Sequence, residues 1–291
     1  MIPLPRALVL ALGFYFGIPV VQISGTLQGQ TAPTDSILAI AHTLFTEAGL
    51  LANQGHQDEA ESKLQRVLDI REKALGLDHP DVALALHNLG FIYNAQGRYA
   101  EAEPLLRRAL IIREAALGPQ HLEVALTLNS LAFTYGVRSR YEEAEPLYER
   151  ALAIDEIVLG PNHLEVAHVL SNLGMLYDDL DRYIEARSVY ERVLAIRETV
   201  LGLGHPDVAD ALINLASLYH HQELYAEAIP LYRRSLDIRE VEFGPEHSDT
   251  GLALENLILA CELFFALPYI AQEQQSITAP ESMTVLWRPS P

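Results

Sequence analysis

A period of 42 residues constrains this chain more than any other feature of it. His79, His121, His163, His205 and His247 stand 42 apart, and so do Gly76, Gly118, Gly160, Gly202 and Gly244. Each of those glycines follows Leu75, Leu117, Leu159, Leu201 or Phe243. A fixed period in the range of about 20–50 residues marks a stack of units, each covering the hydrophobic face of its neighbour. The 291 residues therefore predict one elongated array rather than two globular domains.

The unit is clearest between Asp81 and Glu114. Leu86, Leu89, Gly90 and Tyr93 fall at i, i+3, i+4 and i+7, one stripe of an α-helix. Gln96-Gly97-Arg98 interrupts it, with Gly97 placed to supply a left-handed turn. A second stripe follows in Tyr99, Ala102, Leu106, Ala109, Leu110 and Arg113. Small residues at Gly90 and Ala102 suit two helix backbones that approach closely. One column runs through Leu44, Leu86, Leu128, Leu170, Leu212 and Leu254, and another through Ala60, Ala102, Ala144, Ala186 and Ala228. Tyrosine columns (Tyr93, Tyr135, Tyr177, Tyr219 and Tyr99, Tyr141, Tyr183, Tyr225) read as core, and Cys261 falls in the first of them as a packed thiol.

Leu89-Gly90-x-x-Tyr93, followed by Ala102 and Leu106, resembles the tetratricopeptide pattern with Leu86 at the usual tryptophan. The period of 42 and the segments from Ala109 to Gly118 and from His205 to Ala209 resemble the long repeat of kinesin light chains. The resemblance covers about residues 37–264. It implies an all-α, right-handed α-solenoid of tetratricopeptide-like helix pairs with a C-terminal capping helix. The expected divisions are a signal peptide or N-terminal membrane anchor over 1–25 and a linker over 26–36. Five helix pairs and the capping helix then fill 37–264, and 265–291 forms an irregular tail. A heptad segment of the kind such light chains carry is not seen before residue 37, so a motor subunit is not expected.

Arg6 followed by an apolar run from Ala7 to about Ile23 and by Ser24-Gly25-Thr26 reads as a secretory signal. An uncleaved anchor is the alternative, with the repeats on the side away from Arg6. The expected location is thus extracytoplasmic or membrane-anchored and facing outward, with a cytoplasmic protein as the competing reading. Membrane contact is expected only through this segment. The formal net charge of -19 leaves no basic footprint for nucleic acid.

The distribution of charge is more informative than its sum. Every basic residue of the array falls on a second helix or in the turn before it. In tetratricopeptide stacks the first helices line the concave face, which the resemblance places at Leu84, His87, Asn88, Phe91, Asn94, Asn129 and Phe133. It continues through Asn172, Asp178, Asp179, Asp210, Asn214, Glu255 and Asn256, apolar and polar at first and acidic later. An amide ladder at Asn88, Asn172, Asn214 and Asn256 could hold the backbone of an extended peptide, or instead order the stack. The expected ligand is a protein or peptide with an apolar and a basic segment.

The histidine column sits in loops, spaced far beyond the few ångströms over which metal ligands converge, and reads as loop-ordering. Arg71-Glu72, Arg113-Glu114, Arg197-Glu198 and Arg239-Glu240 recur at one place and read as solvated or inter-repeat ion pairs, with Asp155 breaking the set. No phosphate loop, metalloprotease helix or nucleophile elbow is present. The reading is a protein-binding scaffold or adaptor, without catalytic residues, metal or cofactor. A competing reading is a non-catalytic assembly or regulatory subunit of a separately encoded enzyme such as a peptidase, acting through its convex face.

Overall fold

The computed structural model describes residues 32–278, and the side chains of 34–266. Residues 1–25, read as signal or anchor, lie outside the described residues. The described chain forms α1 (Ala32–Asn53), α2 (Gln57–Leu75), α3 (Pro80–Ala95), α4 (Tyr99–Leu117), α5 (Leu122–Gly136) and α6 (Tyr141–Leu159). It continues as α7 (Leu164–Asp179), α8 (Tyr183–Leu201), α9 (Pro206–His221), α10 (Tyr225–Phe243) and α11 (Ser248–Thr278). The chain divides into two compact units after Leu180. In the first, α1 packs on α2, α3 on α4 and α5 on α6, while α2, α4 and α6 also pack on α3, α5 and α7. In the second, α9 packs on α8 and α10, and α10 on α11. None of the described helices is long and apolar enough to cross a membrane.

The stripes read from the sequence are the buried faces. Leu86, Ala102, Leu106 and Ala109 are at most 1 % exposed, and Leu89 and Tyr93 are buried beside them. Small residues let the paired backbones close. A Cβ added to Gly90 would lie 2.7 Å from Leu106 Cγ, so even a methyl requires that side chain to shift. In the second unit Ala216 takes the same place, packed with Ala228 and Tyr232.

Each unit is punctuated in two ways. After every second helix comes a glycine with strongly positive φ, such as Gly118 at 86°, a conformation that side chains disfavour. The next first helix is then capped by a histidine: Nδ1 of His79, His121, His163, His205 and His247 accepts from the backbone N–H two residues on, at 3.1–3.2 Å. An N-terminal N–H that has no partner inside the helix is thereby satisfied. The expected loop-ordering role takes this form. In the turn within each pair, Gly97 is left-handed as expected, but Ser139, Asp181 and Glu223 adopt the same conformation without glycine.

Two expectations are corrected. Helix α1 starts at Ala32, inside the segment 26–36 read as linker, because Pro33 in a first turn lacks only an N–H that no helix needs there. Helix α11 runs to Thr278 instead of giving way to irregular chain at 265. The pairing pattern stops there, but Ala271, Gln272, Glu273, Gln274 and Gln275 remain good helix formers. Leu254, sixth in a column that is otherwise buried, is 44 % exposed because no second helix covers it among the described residues.

Candidate functional site

In the first unit the first helices α3, α5 and α7 present a mixed face. Leu84 and Phe91 are half-buried on α3, while His87, Asn88 and Asn94 are buried. On α5, exposed Leu126 is followed by half-buried Asn129 and Phe133, the latter edge-on to Tyr99 with ring centres 6.5 Å apart. On α7, Asn172 and Asp178 are half-buried and Asp179 is exposed. In the second unit Asp210, Asn214 and Asn256 are half-buried and Glu255 is exposed.

The asparagines do not behave as one ladder. Asn88 Nδ2 donates to the Leu84 carbonyl of its own helix at 2.8 Å. Asn94 is locked between repeats: its Nδ2 reaches the Ser130 carbonyl at 3.4 Å, and Thr134 Oγ1 donates to its Oδ1 at 3.0 Å. Asn172 Nδ2 donates to Asn129 Oδ1 at 3.0 Å. That last bond leaves Asn129 with amide donors and Asn172 with an amide acceptor, the pair of functions that one passing peptide group requires. Asp210 is drawn into an ion pair with Arg239 at 2.6 Å, so its charge is compensated from within the unit.

The arginines overturn the solvated alternative of their sequence reading and bear out the inter-repeat one in part. Arg71, Arg113, Arg197 and Arg239 are buried, not solvated. Each donates Nη1 to the backbone carbonyl ten residues on, of Asp81, Glu123, Asp207 and Asp249, at 2.7–3.0 Å. A guanidinium thus bridges the loop between one second helix and the next first helix. Arg113 also donates to Thr127 Oγ1 at 2.6 Å and pairs with Glu123 at 3.2 Å. Burial pushes it down to about 10, with Glu123 acting in the opposite direction. His87 is held well below the ordinary histidine value by burial and then by the Arg113 charge, so it is neutral. The following glutamates do form inter-repeat pairs, Glu72 with Arg108, Glu114 with Arg150 and Glu198 with Arg234. In the turns, Arg98 is held by Glu101 and Glu61 and lies 4.0 Å over the Tyr93 ring.

Helix pairs of this shape match the tetratricopeptide repeat pattern over residues 39–110, 81–156, 123–199 and 207–263. The chain belongs to the tetratricopeptide repeat family. Its repeats are of the kinesin-light-chain-like type. Nearly identical TPR-like repeats assigned to a Podosopora anserina kinesin light chain share 25% identity with it, covering 71% of this chain and 98% of that one at a TM-score of 0.59. BtubC (BKLC) from P. vanneervenii shares 24% identity over 74% of this chain and 94% of its own, with a TM-score of 0.54. The apo form of RapI shares 18% over 81% and 84%, with a TM-score of 0.61. These last two likenesses concern fold alone. A search of curated protein sequences found no match.

One joint of this tetratricopeptide array departs from the others. Asp155 stands where the arginines stand, is buried, and receives no hydrogen bond from the described residues. Its neighbour Glu165 is capped by His163 and lies 4.0 Å from His168 Nδ1. Burial, and then the Glu165 charge, push the Asp155 carboxyl up to about 7. Among the described residues no group of three or more His, Cys, Asp or Glu side chains is arranged to hold a metal.

Proposed function

We propose that this tetratricopeptide protein is a binding scaffold whose first-helix face in the first unit holds an extended segment of another protein. The observation that carries the reading is the division of labour between helices. No Lys or Arg lies on α3, α5 or α7, whereas basic side chains of the second helices are tied to carbonyls and carboxylates of the array. The first-helix face is thus left with apolar side chains, amides and carboxylates. Leu126 and Phe133 offer apolar anchors, Asn129 and Asn172 offer a donor and an acceptor, and Asp178 and Asp179 lie at the far end of α7. The complementary ligand carries a large apolar residue at one end and Lys or Arg at the other. Membership of the tetratricopeptide family supports protein binding, and the charge arrangement supports this choice of ligand.

Binding of a peptide with that pattern is the test, measured by calorimetry with a charge-reversed peptide as control. Asn129→Ala with Asn172→Ala should weaken binding by roughly 1–3 kcal/mol. Asp178→Lys with Asp179→Lys should weaken it further and flatten its dependence on salt. Affinity indifferent to both double variants would rule out this face. The apolar stretch from Ala7 to about Ile23 further supports a location outside the cytoplasm or on an outward-facing anchor, which a topology reporter fused after residue 291 would test.

A further inference from the structure

Leu254, Ile258 and Phe265 recur at i, i+4 and i+11 along α11 and form one stripe, 44, 47 and 76 % exposed, with half-buried Cys261 between them. The corresponding leucines of earlier repeats, Leu86, Leu128, Leu170 and Leu212, are at most 2 % exposed. Leu212 is covered in part by Leu231 and Ile238 of α10, and no helix takes that place beside α11 among the described residues. Ile258 also occupies the position held elsewhere by Gly90, Ala132, Gly174 and Ala216. Where even one added carbon at Gly90 would press on Leu106, an isoleucine keeps any neighbouring helix further off. The stripe is therefore a ridge suited to the ordinary spacing of independently packed helices, about 8–10 Å, and not to the close pairing inside a repeat.

Charge decides what can cover it. Glu255 and Glu262 are exposed along one edge of the stripe, and neither Lys nor Arg occurs between Arg239 and Arg288. A second copy is a poor occupant. Its own α11 would set the same glutamates against each other. Its α1, which exposes Ile37, Ile40 and Leu50, carries no Lys or Arg of its own to meet Glu255 and Glu262; it offers Asp35, while Glu47 is already paired with Lys63 of α2. Such juxtaposition of like charges suppresses pairing. We infer that the α11 ridge is a second docking surface, distinct from the first-unit face, for an amphipathic helix of another polypeptide whose apolar stripe is edged by Lys or Arg.

A synthetic amphipathic helical peptide with a leucine stripe edged by lysines is the probe, titrated against the full chain by fluorescence anisotropy. Its counterpart with glutamate in place of lysine is the control. The lysine peptide should bind at least about tenfold more tightly than the glutamate peptide. Ile258→Glu and, separately, Glu255→Lys with Glu262→Lys should each reduce its affinity by at least about tenfold. All three positions are exposed, and circular dichroism would confirm that each variant stays folded. Loss of binding in the charge variant but not in Ile258→Glu would mean unspecific attraction to an acidic protein and overturn the inference. So would loss in the Asn129→Ala, Asn172→Ala variant, which would move the peptide to the other face. A dimer seen by light scattering and abolished by Ile258→Glu would make the occupant a second copy instead. A shift in the emission of Trp287, the sole tryptophan, on making Ile258→Glu would assign the ridge to this chain's own C-terminal segment. Unchanged emission and a monomeric protein are the expected results.

Discussion

Replacing Asp155 with arginine would give the loop between α6 and α7 the bridge that follows α2, α4, α8 and α10. The wild-type carboxyl holds its proton up to about 7 in the folded chain, against an ordinary value of 3.8. At about 1.4 kcal/mol per pH unit, the ionised form is disfavoured by roughly 4 kcal/mol, an upper bound that water entry reduces. The group's folded value is raised, so its favourable contribution is complete below 3.8 and is lost as pH rises towards about 7. Asp155→Asn should remove the penalty and stabilise the chain near pH 8 by about 1–3 kcal/mol, with little gain near pH 4. Asp155→Arg should gain more near pH 8, because Glu165 can then pair with the guanidinium and offer its carbonyl, as Glu123 does for Arg113. Urea unfolding followed by circular dichroism at the two pH values measures both. A gain that does not depend on pH, or destabilisation by both variants near pH 8, would refute the reasoning.

Other consequences can be measured independently. His163→Ala should cost about 0.5–2 kcal/mol through loss of the cap, and His163→Asn should restore most of it in thermal melts. Arg113→Ala should destabilise by about 2–4 kcal/mol, since it strands buried acceptors, whereas Arg108→Ala at a half-buried pair open to solvent should cost about 1 kcal/mol or less; equal costs would contradict the burial described. His87 resists protonation when folded but not when unfolded, where its value is the ordinary 6.5, so its own contribution to stability should fall as pH drops below that point, against the opposite trend contributed by Asp155. His87→Leu should lose that slope in urea titrations between about pH 7 and about pH 5, and an unchanged slope would count against the assignment.

Repetition made the core of this protein legible, because packing in a stack imprints its phase on the letters themselves. Leu86, Ala102 and Ala109 could be placed for that reason. Arg113 fell in the same stripe as Leu106 and Ala109, yet its charge argued for solvent. What holds it inside is the Glu123 carbonyl, a backbone group that every residue possesses and no letter announces. The asparagine column shows the same limit from another side. Asn88 and Asn172 share a letter and a phase, but Asn88 turns to its own helix while Asn172 finds Asn129 in the preceding repeat. Asn129 itself lies one residue out of that column, so spacing alone could not pair them. The charge of Asp210 is likewise offset by a partner that spacing does not announce, Arg239, 29 residues away. At the C-terminal side, the repeat pattern ends after 264 while the helix continues to Thr278. Pairing and helix propensity are separate properties, and only the first disappears there.

The small-residue column has a consequence for how such a chain can change in length. A duplicated block of 42 residues inserted among the earlier repeats brings its own Gly or Ala to each close crossing and leaves the phase of every later helix intact. A block added after α11 would meet Ile258, and its second helix could not approach as α4 approaches Gly90. Growth by tandem duplication is therefore open in the interior and hindered at α11, where one side chain is too large for the close crossing that the earlier repeats share.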